Sequence, residues 1–220
     1  MVTLLALGFL LGLQHATDPD HVVAVSTMLG NERRLLRCSW IGVFWGAGHT
    51  LSLIAAGMLV VVLKTPISAT TGIWLETAVA AMLVFLGARV LFLPHRHEHL
   101  HDGSAPHSHW HTHSFDEAHS GWPHFGIRPF VVGMVHGAAG SAALTLLILS
   151  TVASRWTALS YTLVFGAGSI VGMLCISMLI ALPLSWAGRR AASTLRPIQN
   201  LAGAFSCVFG VYLGLKLWVF

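Results

Sequence analysis

Six stretches of this 220-residue chain stay apolar long enough to cross a bilayer, at about 2–29, 38–63, 73–93, 129–153, 157–184 and 198–219. About 20 consecutive apolar residues suffice for a helix to span hydrocarbon. Polar punctuation predicts the ends: Pro66 follows the second run and Pro94 closes the third. Pro129 and Pro197 open the fourth and sixth runs, where a first-turn proline loses no helical hydrogen bond. GxxxG pairs recur at Gly8/Gly12, Gly42/Gly46, Gly133/Gly137, Gly168/Gly172 and Gly210/Gly214, predicting close backbone approach. The expected fold is an all-α polytopic membrane protein of six transmembrane helices.

The runs also repeat. Gly12-Leu-Gln-His15 matches Gly133-Met-Val-His136 at an offset of 121 residues. Phe44-Trp-Gly46-Ala-Gly48-His49 matches Val164-Phe-Gly166-Ala-Gly168-Ser169 at an offset of 120, and Val84-Phe85 matches Val208-Phe209 at 124. Three helices per half is an odd number, so the second half must enter the membrane upside down, and inverted repeats place their site where the halves meet. The expected organisation is a first three-helix repeat at 1–94, a histidine-rich loop at 95–127 and a second repeat at 128–220.

Composition agrees with the pattern. The chain is 55% hydrophobic and 9% charged, against about 25% charged in soluble domains. The formal charge of +4 comes from arginines in short loops and does not argue for nucleic acid. No pair among Cys38, Cys175 and Cys207 has zinc-finger spacing, and a disulfide framework is not expected. The first run lacks a basic segment before it and reads as a retained helix, not a cleaved signal. Arg33, Arg34, Arg37, Arg96, Arg128, Arg189, Arg190 and Arg196 fall on one side of a six-span topology, and Lys64, Arg155 and Lys216 on the other. The positive-inside rule makes the arginine side cytoplasmic and puts both termini outside.

Four of fourteen histidines lie within apolar runs, two of them in His15-Ala16-Thr17-Asp18-Pro19-Asp20-His21. A carboxylate at membrane depth costs roughly 2.5–3.5 kcal/mol, so such groups mark ion or substrate paths. His15 to Asp18 and Asp18 to His21 are helical neighbours, but His15 and His21 lie some 240° apart on a regular helix. Pro19 predicts the break that lets both face one ion, freeing the His15 carbonyl for water, a side chain or the ion. His49 and His136, central in the second and fourth runs, are candidate further ligands; alternatively each bonds a carbonyl across helices. Imidazole with carboxylate suits Ni(II), Co(II) or Zn(II). Glu76 reads as interfacial, and Thr50, Ser141 and Ser169 as supporting hydrogen-bond donors.

His15-Ala16-x-Asp18-x-Asp20-His21 resembles the His-x4-Asp-His signature of the nickel/cobalt transporter family, and Gly48-His49-Thr50 its second motif. Gly133-x-x-His136-Gly137-x-Ala139-Gly140-Ser141-Ala142 is similar to the short six-helix branch, the urease-accessory-type nickel permeases. The resemblance covers nearly all the chain outside residues 95–124. It implies that His15, Asp18, Asp20 and His21 form the transport site, with His49 close by. The longer members' acidic signature in the second half is absent, and Pro19 stands where Ala is common.

The other ten histidines lie in residues 95–124, many alternating as His95, His97, His99, His101 and His107, His109, His111, His113. Such a tract is a linker able to buffer or capture metal. The expected function is a secondary transporter in the cytoplasmic membrane. It carries Ni(II), with Co(II) as second cargo and uptake as the expected direction, and has no prosthetic group. The divalent ion and the lipid bilayer are its partners, with cytoplasmic metal chaperones as candidates. Efflux is the alternative, supported by the histidine loop. An intramembrane metal hydrolase with Asp20 as base, and a metal sensor using the loop, are further alternatives.

Overall fold

The first apolar run does not form one helix. The computed structural model describes residues 2–29, 32, 34–63, 68–92, 122–139, 155–190 and 192–219. Helix α1 (Val2–His15) stops at the histidine motif, residues 16–18 turn, and α2 (Pro19–Leu29) resumes. Pro19 takes the first helical position, where its missing N–H is no loss. The Asp18 carbonyl accepts the N–H groups of His21 and Val22 at 3.0 and 3.1 Å. The His15 carbonyl, expected to seek water or an ion, instead accepts the Asp18 N–H at 3.1 Å. The turn itself therefore satisfies the break.

Beyond it lie α3 (Leu35–Leu63), α4 (Ala69–Phe92), α5 (Trp122–Gly137), α6 (Arg155–Arg190) and α7 (Ala192–Val219). The described residues are thus all-helical. Four segments are long and apolar enough to span a membrane: Leu35–Leu59, Ala69–Phe92, Trp156–Pro183 and Pro197–Val219. The expected count of six is not reached among them, because the 14-residue α1 is cut short by the turn and the description of the fourth run stops at residue 139.

The prolines correct a second expectation. Pro129 and Pro197 lie inside α5 and α7, not at their starts, and α6 continues through Pro183 to Arg190. Pro183 and Pro197 mark the border of each apolar segment. The carbonyl that Pro197 deprives of its partner lies before its apolar segment and can turn to water outside the hydrocarbon, so α7 passes that proline instead of starting at it. Pro66, Pro94 and the histidine-rich residues 95–121 lie outside the described residues.

Helix pairing follows the small residues. α1 packs on α6, α5 on α3, α3 on α6, and α4 on α7, with α2 wedged among α3, α4, α6 and α7. Gly12 lies against the Phe165 carbonyl, and Gly133 against the Trp45 carbonyl, so closely that a Cβ would overlap the oxygen. Gly168 meets the Phe9 carbonyl, and Gly48 the Phe130 carbonyl, in the same way. Without a hydrophobic drive between helices in lipid, such approach allows dispersion contact along the backbones. Hydrogen bonds add to it: Ser206 Oγ donates to the Leu83 carbonyl at 2.8 Å and Ser52 Oγ to the Met134 carbonyl at 2.8 Å.

The outward surface is apolar, with Leu7, Leu10, Phe85, Leu179, Leu201 and Phe205 all exposed. The interior is built around α2, whose Val23, Ala24, Val25 and Leu29 are buried with Ala16, Cys38, Trp45, Leu83 and Met173. Polar histidines on α2, α3 and α5 therefore meet at the most enclosed point of the bundle.

Candidate metal centre

The interrupted helix brings His15 and His21 together. His15 closes α1 and His21 sits in the first turn of α2, and their rings lie 4.5 Å apart. Along one regular helix their six-residue spacing would have separated them. His49 comes from the middle of α3, its ring 5.1 Å from His15 and 5.2 Å from His21. His136 comes from the end of α5, 4.1 Å from the His21 ring. His21 and His49 are 0% exposed and His136 is 1% exposed, so bulk water does not solvate these three.

Each donor has a defined environment. His15 Nδ1 donates to Asp18 Oδ2 at 2.8 Å, which leaves the Nε2 lone pair directed into the bundle. That Nε2 lies 3.2 Å from His49 Nε2. Two nitrogens each about 2.0–2.1 Å from a metal in a tetrahedral site stand about 3.3 Å apart, so the pair has the separation of two ligands. Carboxylate, imidazole and metal in line is the arrangement that fixes a ligand's tautomer and raises its basicity.

Asp20 joins the other end. Its Oδ1 accepts the His21 backbone N–H at 3.0 Å and His21 Nδ1 at 3.1 Å. Its Oδ2 accepts His136 Nε2 at 2.9 Å, from a residue 116 positions away. His21 Nε2, His49 Nδ1 and His136 Nδ1 are buried with no hydrogen-bond partner. An unsatisfied buried polar atom costs about 1–3 kcal/mol, so each of the three calls for a partner beyond the described side chains.

Among the described residues there are two sets of donors whose ligand atoms lie within 4.8 Å of one another: His15, His21 and His49, and Asp20, His21 and His136. Asp18 belongs to neither. Its side chain is 45% exposed against 25% for Asp20, and it stands on the outer edge of His15. Glu76, half-buried on α4, lies outside both sets. Thr50 Oγ1 donates to the Gly166 carbonyl at 3.2 Å, joining α3 to α6, while Ser169 Oγ is buried and unpartnered. Ser141 is outside the described residues.

Sequence reasoning missed two aromatic walls. Trp45, 0% exposed, lies 5.4 Å from the His21 ring and 6.0 Å from His136, and its Nε1 has no partner. Phe165 lies 5.6 Å from His15. These positions align in the sequence match of Phe44-Trp45-Gly46 to Val164-Phe165-Gly166, so a signal was present. Each closes one side of the cluster with a flat apolar surface that lowers the local dielectric and strengthens the electrostatic interactions it encloses.

No family model matches the chain, and no solved structure matches it. It is similar to urease accessory protein UreH of Bacillus sp. (strain TB-90), 39% identical over 229 aligned residues that cover 100% of this chain and 97% of the relative. That relative is by name an accessory to an enzyme, and this chain is not itself an enzyme. An end-to-end match at this identity establishes kinship, and the chain belongs to the UreH family of urease accessory proteins.

Proposed function

We propose that the chain is a secondary transporter that carries Ni(II), with Co(II) as second cargo, into the cell across the cytoplasmic membrane. The observation that carries this reading is the cluster of His15, His21, His49, His136 and Asp20, enclosed in an apolar bundle with three imidazole nitrogens unpartnered. Such desolvated ligands are what a dication needs in exchange for its water shell. The relative is by name a urease accessory protein, and the resemblance of the histidine motifs to the urease-accessory-type nickel permeases supports nickel as the cargo.

The transport cycle is that of two inverted three-helix repeats with six spans, α1 and α2 together forming the first. Support comes from packing that maps onto itself when the halves are exchanged. The α1–α6 pair becomes the α5–α3 pair, while α3–α6 and α4–α7 each map to themselves. Residue contacts follow: Gly12 on Phe165 exchanges with Gly133 on Trp45, and Gly168 on Phe9 with Gly48 on Phe130. Gly210 against the Ala80 carbonyl likewise exchanges with Gly87 against the Gly203 carbonyl, at an offset of 123 residues. Rocking of one half against the other opens the cluster first to one side and then to the other.

In this reading Asp18 and Asp20, the more exposed members, receive the hydrated ion. His15, His21, His49 and His136 strip its water and hold it, and the ion leaves on the arginine-rich side, with both termini outside. The histidine-rich segment, which the sequence places at 95–127 between repeats 1–94 and 128–220 and which gives way to α5 at Trp122, buffers the released ion and passes it to cytoplasmic metal chaperones. The test is uptake by proteoliposomes carrying the full chain, with Ni(II), Co(II) or Zn(II) outside or preloaded inside. Saturable Ni(II) entry exceeding Zn(II) entry is expected. Metal binding without movement in either direction would refute it.

A further inference from the structure

The two donor sets overlap at a single residue. His21 belongs to both His15–His21–His49 and Asp20–His21–His136. Its two ring nitrogens diverge, and one ring cannot direct both at the same ion. Nδ1 is engaged by Asp20 at 3.1 Å, and Asp20 in turn reaches His136. Nε2, on the opposite edge, is buried without a partner, and the rings of His15 and His49 lie 4.5 and 5.2 Å from that of His21. We infer that the cluster holds two alternative cation positions that share His21: one on His15, His49 and His21 Nε2, the other on Asp20, His136 and His21 Nδ1.

The surroundings are arranged accordingly. His15 and His136 occupy matching places in the two halves and flank His21 at nearly equal distances, 4.5 and 4.1 Å. Each is backed by the matching aromatic, Phe165 at 5.6 Å and Trp45 at 6.0 Å. Exchange of the halves therefore exchanges His15 with His136 and Phe165 with Trp45, one flank of His21 for the other. Only the second carries a carboxylate, so the two differ in charge. Two dications sharing one imidazole repel strongly in so apolar a site, and the positions are filled one at a time. The ion moves between them within the enclosed cluster without regaining its water shell, which gives the rocking motion two defined end states.

This inference rests on the permease reading, and the two are separable by experiment. Ni(II) binding to the full chain in detergent is measured by equilibrium dialysis and by X-ray absorption, beside Ni(II) uptake into proteoliposomes. The parent binds one ion per chain more than the double variant, whose histidine-rich segment sets the background in every sample. His49→Gln and His136→Gln each leave the other position intact, so each still binds that one further ion, while uptake is lost. After subtraction of the double variant's spectrum, the absorption spectrum shows a carboxylate ligand in His49→Gln and none in His136→Gln. Gel filtration at the parent's elution volume shows that each variant is folded. Loss of the further ion in either single variant, two ions on the parent above the double variant, or uptake at the parent's rate in either variant would overturn the two-position scheme. Absence of Ni(II) binding by the parent would instead remove the permease reading.

Discussion

His15 and His49 meet nitrogen to nitrogen, Nε2 to Nε2 at 3.2 Å, although α1 and α3, which carry them, do not pack directly along their lengths. The contact exists because α1 ends at His15 and α2 turns the chain into the bundle, so the last residue of a peripheral helix reaches the centre. Asp18 then sets the direction: accepting from His15 Nδ1 at 2.8 Å, it turns Nε2 towards His49. Exchanging the carboxylate for an amide would keep an acceptor but remove the charge that raises the ring's basicity. Asp18→Asn is expected to lower Ni(II) affinity about 10-fold, and Asp18→Leu about 100-fold, as loss of a supporting carboxylate does elsewhere. Dialysis of purified variants measures this.

A second expectation concerns backbone contact. Gly12 lies on the Phe165 carbonyl, so Gly12→Ala must push α1 from α6, and overpacking of this kind costs about 1–3 kcal/mol. Gly72 on α4 has nothing within 4 Å of an added Cβ, and Gly72→Ala should be neutral or stabilising by up to about 1 kcal/mol. Thermal unfolding in detergent compares the two. Equal loss in both would remove the argument from close approach.

Ser206, 0% exposed on α7, donates to the Leu83 carbonyl of α4. Interhelical hydrogen bonds in membranes average about 0.6 kcal/mol, with a maximum of about 1.7. Ser206→Ala should therefore destabilise the bundle by about 0.6 kcal/mol and leave Ni(II) binding at the parent value, because the contact lies outside both donor sets. Unfolding in detergent and dialysis of the same preparation read the two quantities separately.

Metal affinity should fall on acidification. A protonated imidazole has no lone pair to give, so each ligating histidine must be neutral and protons compete with the ion. The sign is fixed: binding strengthens as pH rises and weakens as it falls. Isothermal titration of Ni(II) in two buffers of different ionisation heat would detect the released protons. A binding isotherm independent of pH would exclude histidine ligation.

Much of this site is legible in the chain. His15, Asp18, Asp20 and His21 stand out as ionisable groups in an apolar run, and Pro19 marks the break that joins the two rings. His136 is visible through its repeat match to Gly12-Leu-Gln-His15. What the pattern does not carry is three-dimensional. The Asp20–His136 contact joins residues 116 apart, and nothing local distinguishes Asp20, which bridges to α5, from Asp18, which turns back on His15. Trp45 reads as an ordinary aromatic until its ring is seen beside His21. The helix limits fail at Pro129 and Pro197, which lie inside α5 and α7, because a proline can kink a helix without ending it. Hydropathy cannot tell that from a true end.

The central claim is that a dication passes through an imidazole cluster inside the membrane, and His21 is the residue common to both donor sets. Initial uptake of radioactive nickel by proteoliposomes, with the parent and His21→Asn incorporated at equal density, tests it most directly. The account predicts uptake by the parent and a rate at the level of protein-free vesicles for the variant. Uptake by His21→Asn at the parent's rate would contradict it.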